Sequence, residues 1–251
     1  MEKIQKSLEE YLEEKREQFP RFYFISNEEL LRILASSSDL KGIEKHATKC
    51  FENMKTFILQ DQLEGEKQED VDHSDLNDIY GVTSLEAEKL MFGKRVLKTR
   101  GHGVEEWMKS FEEHMATALQ KEIKEAHKRC SDEATDFDRK VWVLEHVSQA
   151  VAVVGQVTWT EGTELALNDL MDDNPFAMED HLGLIKQQLL QLTELIRGQL
   201  TAIHRKTLVA LITQDVHARD IVEQLWQEAV HAPFDFLWQR QLRYYLEEES
   251  A

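Results

Sequence analysis

The densest group of side chains that could do chemistry lies in the stretch QDVHARD. Asp215, His217, Arg219 and Asp220 fall within six residues there, on a segment that is otherwise apolar. A histidine beside a carboxylate can act as a general base, although no serine or cysteine nucleophile motif accompanies this pair. We interpret the four residues as a buried ionic cluster that fixes the register of a helix, with a catalytic pair as the alternative.

Two further groups could bind a metal ion, and each is incomplete. His46 and Cys50 are spaced i, i+4 on a predicted helix and could both face Zn²⁺, but no second pair at ligand spacing occurs. Glu228 and His231 match half of a di-iron motif that is needed twice. The sequence also lacks a G-x-x-x-x-G-K-[ST] loop for nucleotide phosphates. We therefore expect no catalytic residue, no metal and no cofactor in this chain.

Composition restricts the class of partner. The formal net charge of −18 and the pI near 5.0 disfavour nucleic acid and anionic membranes, because both carry negative charge. Two cysteines, Cys50 and Cys130, lack C-x-x-C spacing and indicate free thiols in a reducing compartment. No run of eighteen apolar residues occurs, and the N-terminal sequence MEKIQKSLEE is unlike a signal peptide. These features are typical of a soluble intracellular protein.

Helical periodicity dominates the first part of the chain but gives way to a strand pattern after it. The sequence IEKHATKCFENMKTFIL predicts a helix that ends near Phe57, and the acidic stretch 60–78 predicts a surface loop. The sequence IYGVTSLEAEKLMF predicts a hairpin with strands at Ile79–Thr83 and Lys89–Phe92. We divide the chain into an N-terminal helical part (1–59), the acidic loop and hairpin (60–103), and a C-terminal helical bundle (104–251).

The C-terminal part reads as helices throughout. A helix of about 25 residues begins at Val104, and the nearly uncharged VWVLEHVSQAVAVVGQVTWT predicts one buried helix, followed by a helix over EGTELALNDL. Two long helices follow between His181 and Val230, and FDFLWQRQLRYYL predicts a final aromatic helix. Together these elements predict a mainly α fold: an elongated helical bundle or arm with one short β-hairpin.

Aromatic residues concentrate at one joint, KREQFPRFYFIS. Pro20 disfavours helical backbone at the preceding residue, and Ser26 with Glu29 forms a capping-box pattern that starts the next helix. We predict that the rings between these points form a buried plug that stiffens the joint, and that two tryptophans anchor the later helices. The predicted structural anchors are Phe19, Pro20, Phe22, Tyr23, Phe24, Trp107 and Trp159.

A second aromatic group lies near the end of the sequence. Trp238, Arg243, Tyr244 and Tyr245 are of the residue types enriched at interface hot spots. Composition favours equally an ordinary core and a surface that docks onto a following domain.

Several blocks of the sequence resemble one family, in that family's order. The blocks IQKSLEEYLEEKREQFPRFYFISNEELLRIL, VEEWMKSFEEHM, VGQVTWTEGTELAL and DFLWQRQLRYYLEEES are similar to the linker region of dynein heavy chains. The block LVALITQDVHARDIV looks more like the axonemal heavy chains than the cytoplasmic ones. The acidic loop is longer than the family pattern, and the usual proline is replaced around Val147–Ser148.

The resemblance implies a non-catalytic, mainly helical lever that transmits ATP-driven changes of an AAA+ ring into movement along microtubules. It implies as partners the ring of the same heavy chain, through Trp238, Arg243, Tyr244 and Tyr245, and the remainder of the linker and tail. ATP and Mg²⁺ would belong to the ring, outside this chain. The implied location is the cytoplasm and cytoskeleton, in the axoneme of a cilium or flagellum. The alternative is a free-standing helical scaffold without motor activity.

Overall fold

The computed structural model describes residues 2–35, 39–60, 78–93, 96–131 and 137–247. Two compact units, Met1–Gln120 and Lys121–Ala251, divide the chain inside one helix. The described residues are mainly α-helical with one small antiparallel sheet, which confirms the predicted mainly α class. Most of the predicted acidic loop, residues 61–77, lies outside the described residues. The three-part division of the sequence stays a prediction.

The first unit combines short helices with the sheet. Its elements are α1 (Glu2–Gln18), a 3-10 helix (Pro20–Phe24), α2 (Asn27–Ala35), α3 (Leu40–Cys50), β1 (Met54–Leu59), β2 (Ile79–Ser84), β3 (Lys89–Met91) and the first part of α4 (Val104–Ser131). Phe111 on α4 lies at the centre of an aromatic core, with ring centroids 5.2 Å from both Phe51 and Phe57. Trp107, one of the predicted anchors, is also buried in this core.

The joint after α1 is a 3-10 helix, and this geometry decides which rings are buried. A 3-10 helix has three residues per turn, so Phe19, Phe22 and Ile25 share one side and are 2%, 0% and 4% exposed. Tyr23 and Phe24 fall on the outer side and are 56% and 70% exposed. The prediction of a four-ring plug is therefore wrong for Tyr23 and Phe24.

The two buried rings of the joint pack edge to face, with centroids 4.9 Å apart. Pro20 itself is exposed, and Phe19 before it has extended backbone, as a residue preceding proline should. The predicted capping box is confirmed, because the backbone N–H of Glu29 donates to Ser26 Oγ while Glu29 Oε2 accepts from the N–H of Ser26.

The helix predicted to reach Phe57 ends earlier, at Cys50, and β1 begins at Met54. The turn between them uses Asn53 in the left-handed region, with φ of 65°, which asparagine tolerates better than most residues. The predicted hairpin of β2 and β3 is confirmed, and β1 extends it to a three-stranded sheet in the order β1-β2-β3. Gly81 in the central strand leaves room for β3, since a Cβ there would lie 2.4 Å from the carbonyl oxygen of Leu90.

In its described residues, the second unit consists of the end of α4 and five further helices. These are α5 (Arg139–Glu145), α6 (Ser148–Met171), α7 (Ala177–Leu195), α8 (Ala202–Gln227) and α9 (Phe236–Gln239). The long helices α7 and α8 confirm the prediction for 181–230. The predicted single buried helix is instead α5 and α6, because His146 and Val147 have extended backbone.

The predicted final aromatic helix is wrong beyond its first turn. Helix α9 has four residues, and residues 241–247 have no regular secondary structure. We call residues 240–247 the C-terminal strap. Its backbone forms a hydrogen bond with a side chain of α6 rather than continuing a helical ladder, since the N–H of Tyr244 donates to Thr160 Oγ1 at 3.1 Å.

Replacement of Phe22 by alanine tests the joint. We expect Phe22→Ala to lower the free energy of unfolding of the first unit by about 3–5 kcal/mol, because the fully buried ring leaves a cavity. Phe24→Ala removes an equal ring from the outer side and should change stability by about 0.5 kcal/mol or less. Denaturant titration measures both, and equal losses in the two variants would contradict the assignment of the buried side.

Candidate functional site

The residues predicted to meet a following domain converge instead on α6. Trp238 is fully buried, and its ring packs edge to face on Trp159, with centroids 5.2 Å apart. Trp159 was a predicted anchor and is 8% exposed. Trp238 cannot contact another domain from this position, so that part of the predicted interface is wrong. The ring belongs to the core formed by α6, α7 and α8.

Glu164 on α6 attaches the C-terminal strap to the helix. Its Oε1 accepts from the indole N–H of Trp238 at 3.2 Å and from the phenol of Tyr245 at 2.6 Å. The guanidinium of Arg243 lies 3.5 Å from the same oxygen. Thr160, one helical turn earlier, accepts from the backbone of Tyr244. Two polar side chains at i and i+4 therefore hold the C-terminal strap across α6.

The sequence prediction missed Glu164 and Thr160. A signal was present, because α6 is the most apolar of the long helices in the described ranges, and its charged residues are Glu161, Glu164 and Asp169. A charged side chain on a buried helix needs a partner. The aromatic C-terminal segment, which contains Arg243 and hydrogen-bond donors, could have been considered as that partner.

Burial, followed by the hydrogen bond to Glu164, raises the pKa of the Tyr245 phenol. The hydroxyl therefore stays protonated at neutral pH and acts as the donor. The outer sides of the strap remain available to solvent, with Tyr244 and Tyr245 at 38% and 55% exposed and Leu242 at 74%. These three side chains can form a contact surface, whereas Trp238 cannot.

The predicted polar cluster separates into two ion pairs. Asp215 is buried and accepts two hydrogen bonds from Arg139 of α5, at 2.7 and 3.0 Å. Arg219 pairs with its neighbour Asp220, and His217 is exposed. The prediction of one buried cluster is wrong for these last three residues. Each residue of a helix is rotated by about 100° from the one before, so His217 and Asp220 lie away from the side of α8 that holds Asp215. Arg219 lies on the same side as Asp215 but pairs with Asp220.

Arg139 was not among the predicted residues, and its ion pair with Asp215 explains why Asp215 can be buried. Burial raises the pKa of the Asp215 carboxyl, and the charge of Arg139 and its hydrogen bonds oppose that shift. The bidentate geometry favours an ionised carboxylate. The pair joins α5 to α8, and the register-fixing role that we predicted for the cluster stays a prediction for this pair.

The predicted alternatives for chemistry find no geometric support in the described part of the chain. His46 Nδ1 lies 3.6 Å from Glu29, whereas the buried thiol of Cys50 faces the carbonyl oxygen of Arg21 at 3.6 Å. The described ranges contain no group of three or more metal-ligating side chains placed around one point. Within those ranges, too, no helix is both long and apolar enough to cross a membrane.

The chain is therefore a mainly helical module whose C-terminal strap is held by side chains of α6. Comparison with known proteins gives its family. Residues 1–126 match the family described as "Dynein heavy chain, N-terminal region 2". Dynein axonemal heavy chain 6 of Homo sapiens is 39% identical over 98% of this chain, and the flagellar inner arm dynein-1-beta heavy chain of Chlamydomonas reinhardtii is 36% identical over all of it. Dynein axonemal heavy chain 3 of Mus musculus is 35% identical, also over the whole chain.

This chain belongs to the dynein heavy chain family, as an N-terminal region of an axonemal heavy chain. The predicted resemblance is confirmed, and with it the assignment to the cytoskeleton of the axoneme, in a cilium or flagellum. The chain spans only 5–6% of the length of the three relatives named above.

Removal of one hydroxyl tests the attachment of the strap. Tyr245→Phe deletes the hydrogen bond to Glu164 without changing the ring, and a bond to a charged acceptor contributes about 1.5–3 kcal/mol, less at a half-exposed site. We expect faster hydrogen exchange of the Tyr244 amide, by about 5–30-fold for a loss of 1–2 kcal/mol. Tyr23→Phe removes a similar exposed bond, to Glu13 in the first unit, and should leave that amide unchanged. Equal exchange in all three proteins would show that the strap is held by other contacts.

The half-buried imidazole of His181 makes stability depend on pH. Burial lowers the pKa of His181 from 6.5 to about 4, so the unfolded chain takes up a proton before the folded one does. The second unit should therefore lose stability as the pH falls from about 6.5 towards 4, and should be unaffected by this group above 6.5.

Thermal unfolding between pH 7 and 4 measures this effect. His181→Gln, which removes the titrating group, should show a weaker pH dependence, whereas His217→Gln on the exposed side of α8 should match the parent. A parent-like slope in His181→Gln would contradict the assignment.

Proposed function

We propose that this chain is a non-catalytic mechanical linker segment of a dynein motor, which transmits ATP-driven changes of an AAA+ ring into movement along microtubules. The observation that carries the proposal is the attachment of the C-terminal strap to α6 through Glu164 and Thr160. A segment that transmits force must contact its helices through side chains as well as through its backbone. Without such contacts, an applied force would first extend the segment and would not move the helices.

The attachment has the properties that such a role requires. Trp238 is buried in the core of the unit, and the strap that follows it crosses α6 and is bound at two successive turns. Force applied beyond residue 247 would therefore reach α6 through side chains as well as through the chain. Tyr244, Tyr245 and Leu242 would face the AAA+ ring of the same heavy chain, together with Arg243.

The first unit supplies a second feature that supports the proposal. The joint between α1 and α2 contains the buried rings of Phe19 and Phe22, and Arg21 lies over the ring of Phe51, 4.8 Å from its centroid. A joint with buried aromatic contacts resists bending, as a lever requires. The remainder of the linker and the tail would be its other partners, and microtubules would be contacted indirectly, outside this chain. ATP and Mg²⁺ would be bound by the ring. No observation favours a free-standing scaffold.

A motor that carries this segment provides the test. In the heavy chain, Glu164→Gln combined with Tyr245→Phe should lower the velocity of microtubule gliding while the microtubule-stimulated ATPase is retained, because the ring still turns over but its change of shape is poorly transmitted. Glu179→Gln, an equal loss of charge at an exposed position of α7, should leave both quantities unchanged.

Parallel loss of velocity and ATPase would contradict the proposal, as would an unchanged velocity in a variant whose strap exchanges faster. Hydrogen exchange on the same variant decides whether the strap has been released.

A further inference from the structure

A cavity of about 350 Å³ lies between α6, α7 and α8, in the second unit. Its apolar wall is formed by Trp159, Leu165, Ala166, Leu184, Ile185 and Ala218. Pockets that bind small molecules in proteins measure about 300–1,000 Å³ and have mostly apolar walls with a few polar groups. This cavity, which we call the α6–α8 cavity, has the size and lining of such a site, and the attachment of the strap does not use it.

The two charged groups at one end of the cavity already satisfy each other. Arg139 donates to both oxygens of Asp215 and, at 3.3 Å, to Gln188. A second, smaller cavity of about 150 Å³ adjoins this end and shares Arg139 and Gln188. An anionic ligand would have to displace Asp215 to reach the guanidinium, which leaves a buried carboxylate without its partner. Anions are therefore disfavoured.

His181 supplies a hydrogen-bond acceptor in the wall. The hydroxyl of Thr163 donates to the carbonyl oxygen of Trp159 at 2.7 Å, so its oxygen accepts from His181 Nε2 at 3.1 Å. This network assigns the proton of the neutral ring to Nε2 and leaves the lone pair of Nδ1 as an acceptor. Gly162 makes the position possible, because a Cβ there would lie 2.9 Å from the Cε1 atom of His181.

Asp169 gives the cavity an excess of negative charge. It lines the cavity, and its carboxylate forms no ion pair with any cation of the described ranges. Asp215 and Arg139 cancel, so the charged lining groups sum to one negative charge. Among the lining groups, His181 Nδ1 and the Asp169 carboxylate are acceptors that no other residue of the described ranges uses, and the amide N–H groups of Gln188, at the Arg139 end, are donors.

We propose that the α6–α8 cavity is a binding site for a small organic cation, with an apolar or aromatic body and one protonated nitrogen. The body would pack against the apolar wall, and the nitrogen would donate to Asp169, whose carboxylate carries the uncompensated charge. The inference concerns the lining of the cavity alone and stands independently of the linker role.

Benzamidine, a flat aromatic cation, is a suitable probe, and benzoate is its control of nearly equal shape and opposite charge. Titration of the isotope-labelled chain, followed by NMR, should give saturable shifts at the amides of Gly155 and Gly162 with benzamidine. Binding of benzoate should be weaker by about tenfold or more, because Asp169 repels it. Equal affinities for the two probes, or shifts that do not include these glycines, would overturn the proposal.

Three substitutions locate the site. Ala218→Met places a flexible side chain in the cavity and should abolish the shifts caused by benzamidine without lowering the melting temperature, because filled space is gained. Asp169→Asn should weaken benzamidine and leave the fold unchanged. Leu184→Ala should weaken it too, whereas Leu190→Ala, on the same helix and similarly exposed but outside the cavity, should not. Parent-like affinity in Ala218→Met or in Asp169→Asn would sink the assignment.

Discussion

In the second unit, the contact between the indoles of Trp238 and Trp159 decides where the C-terminal strap can lie. Burial of a tryptophan removes a large apolar surface from water and is among the strongest single contributions to a core. Once Trp238 is fixed, the residues that follow must cross α6, and Thr160 and Glu164 are the polar groups they meet. Glu164 in turn would be costly on so apolar a helix without donors. The path of the strap and the polar residues of α6 therefore depend on each other.

A similar dependence connects α5 to α8. Asp215 is buried because Arg139 accompanies it, and removal of either partner would leave an uncompensated charge in the core. A bidentate pair has one good geometry, so it specifies register more sharply than the apolar contacts around it. The same arrangement occurs in this pair, in the strap and in the joint of the first unit. In each, neighbouring elements are joined by a contact with a defined geometry in addition to apolar packing. Such contacts are those that the proposed linker role would require.

The sequence predicted the long helices, the capping box and the β2–β3 hairpin because these depend on local periodicity and on short motifs. It failed where tertiary contacts override local preference. MKTFIL continues a helical pattern from α3, yet pairing with β2 draws it into the sheet, and the segment after Trp238 exchanges a helix for bonds to α6. The polar cluster shows the same limit: four charged or titratable residues close in sequence point to different sides of one helix. Composition marks Glu164 as a charge that needs a partner, but nothing local connects it with Trp238, 74 residues away, or connects Arg139 with Asp215, 76 residues away.

The 3-10 geometry at Pro20–Phe24 makes the length of the joint as significant as its composition. With three residues per turn, insertion or deletion of one residue rotates everything after it by about 120°. Deletion of one position would turn the phenol of Tyr23 into the space that Phe22 fills, where its hydroxyl would lack the bond it makes with Glu13. Evolution of this joint should therefore tolerate exchanges at Tyr23 and Phe24 freely while rejecting almost every change in spacing. Homologous chains should differ in residue type at these two positions but not in the number of residues in the joint.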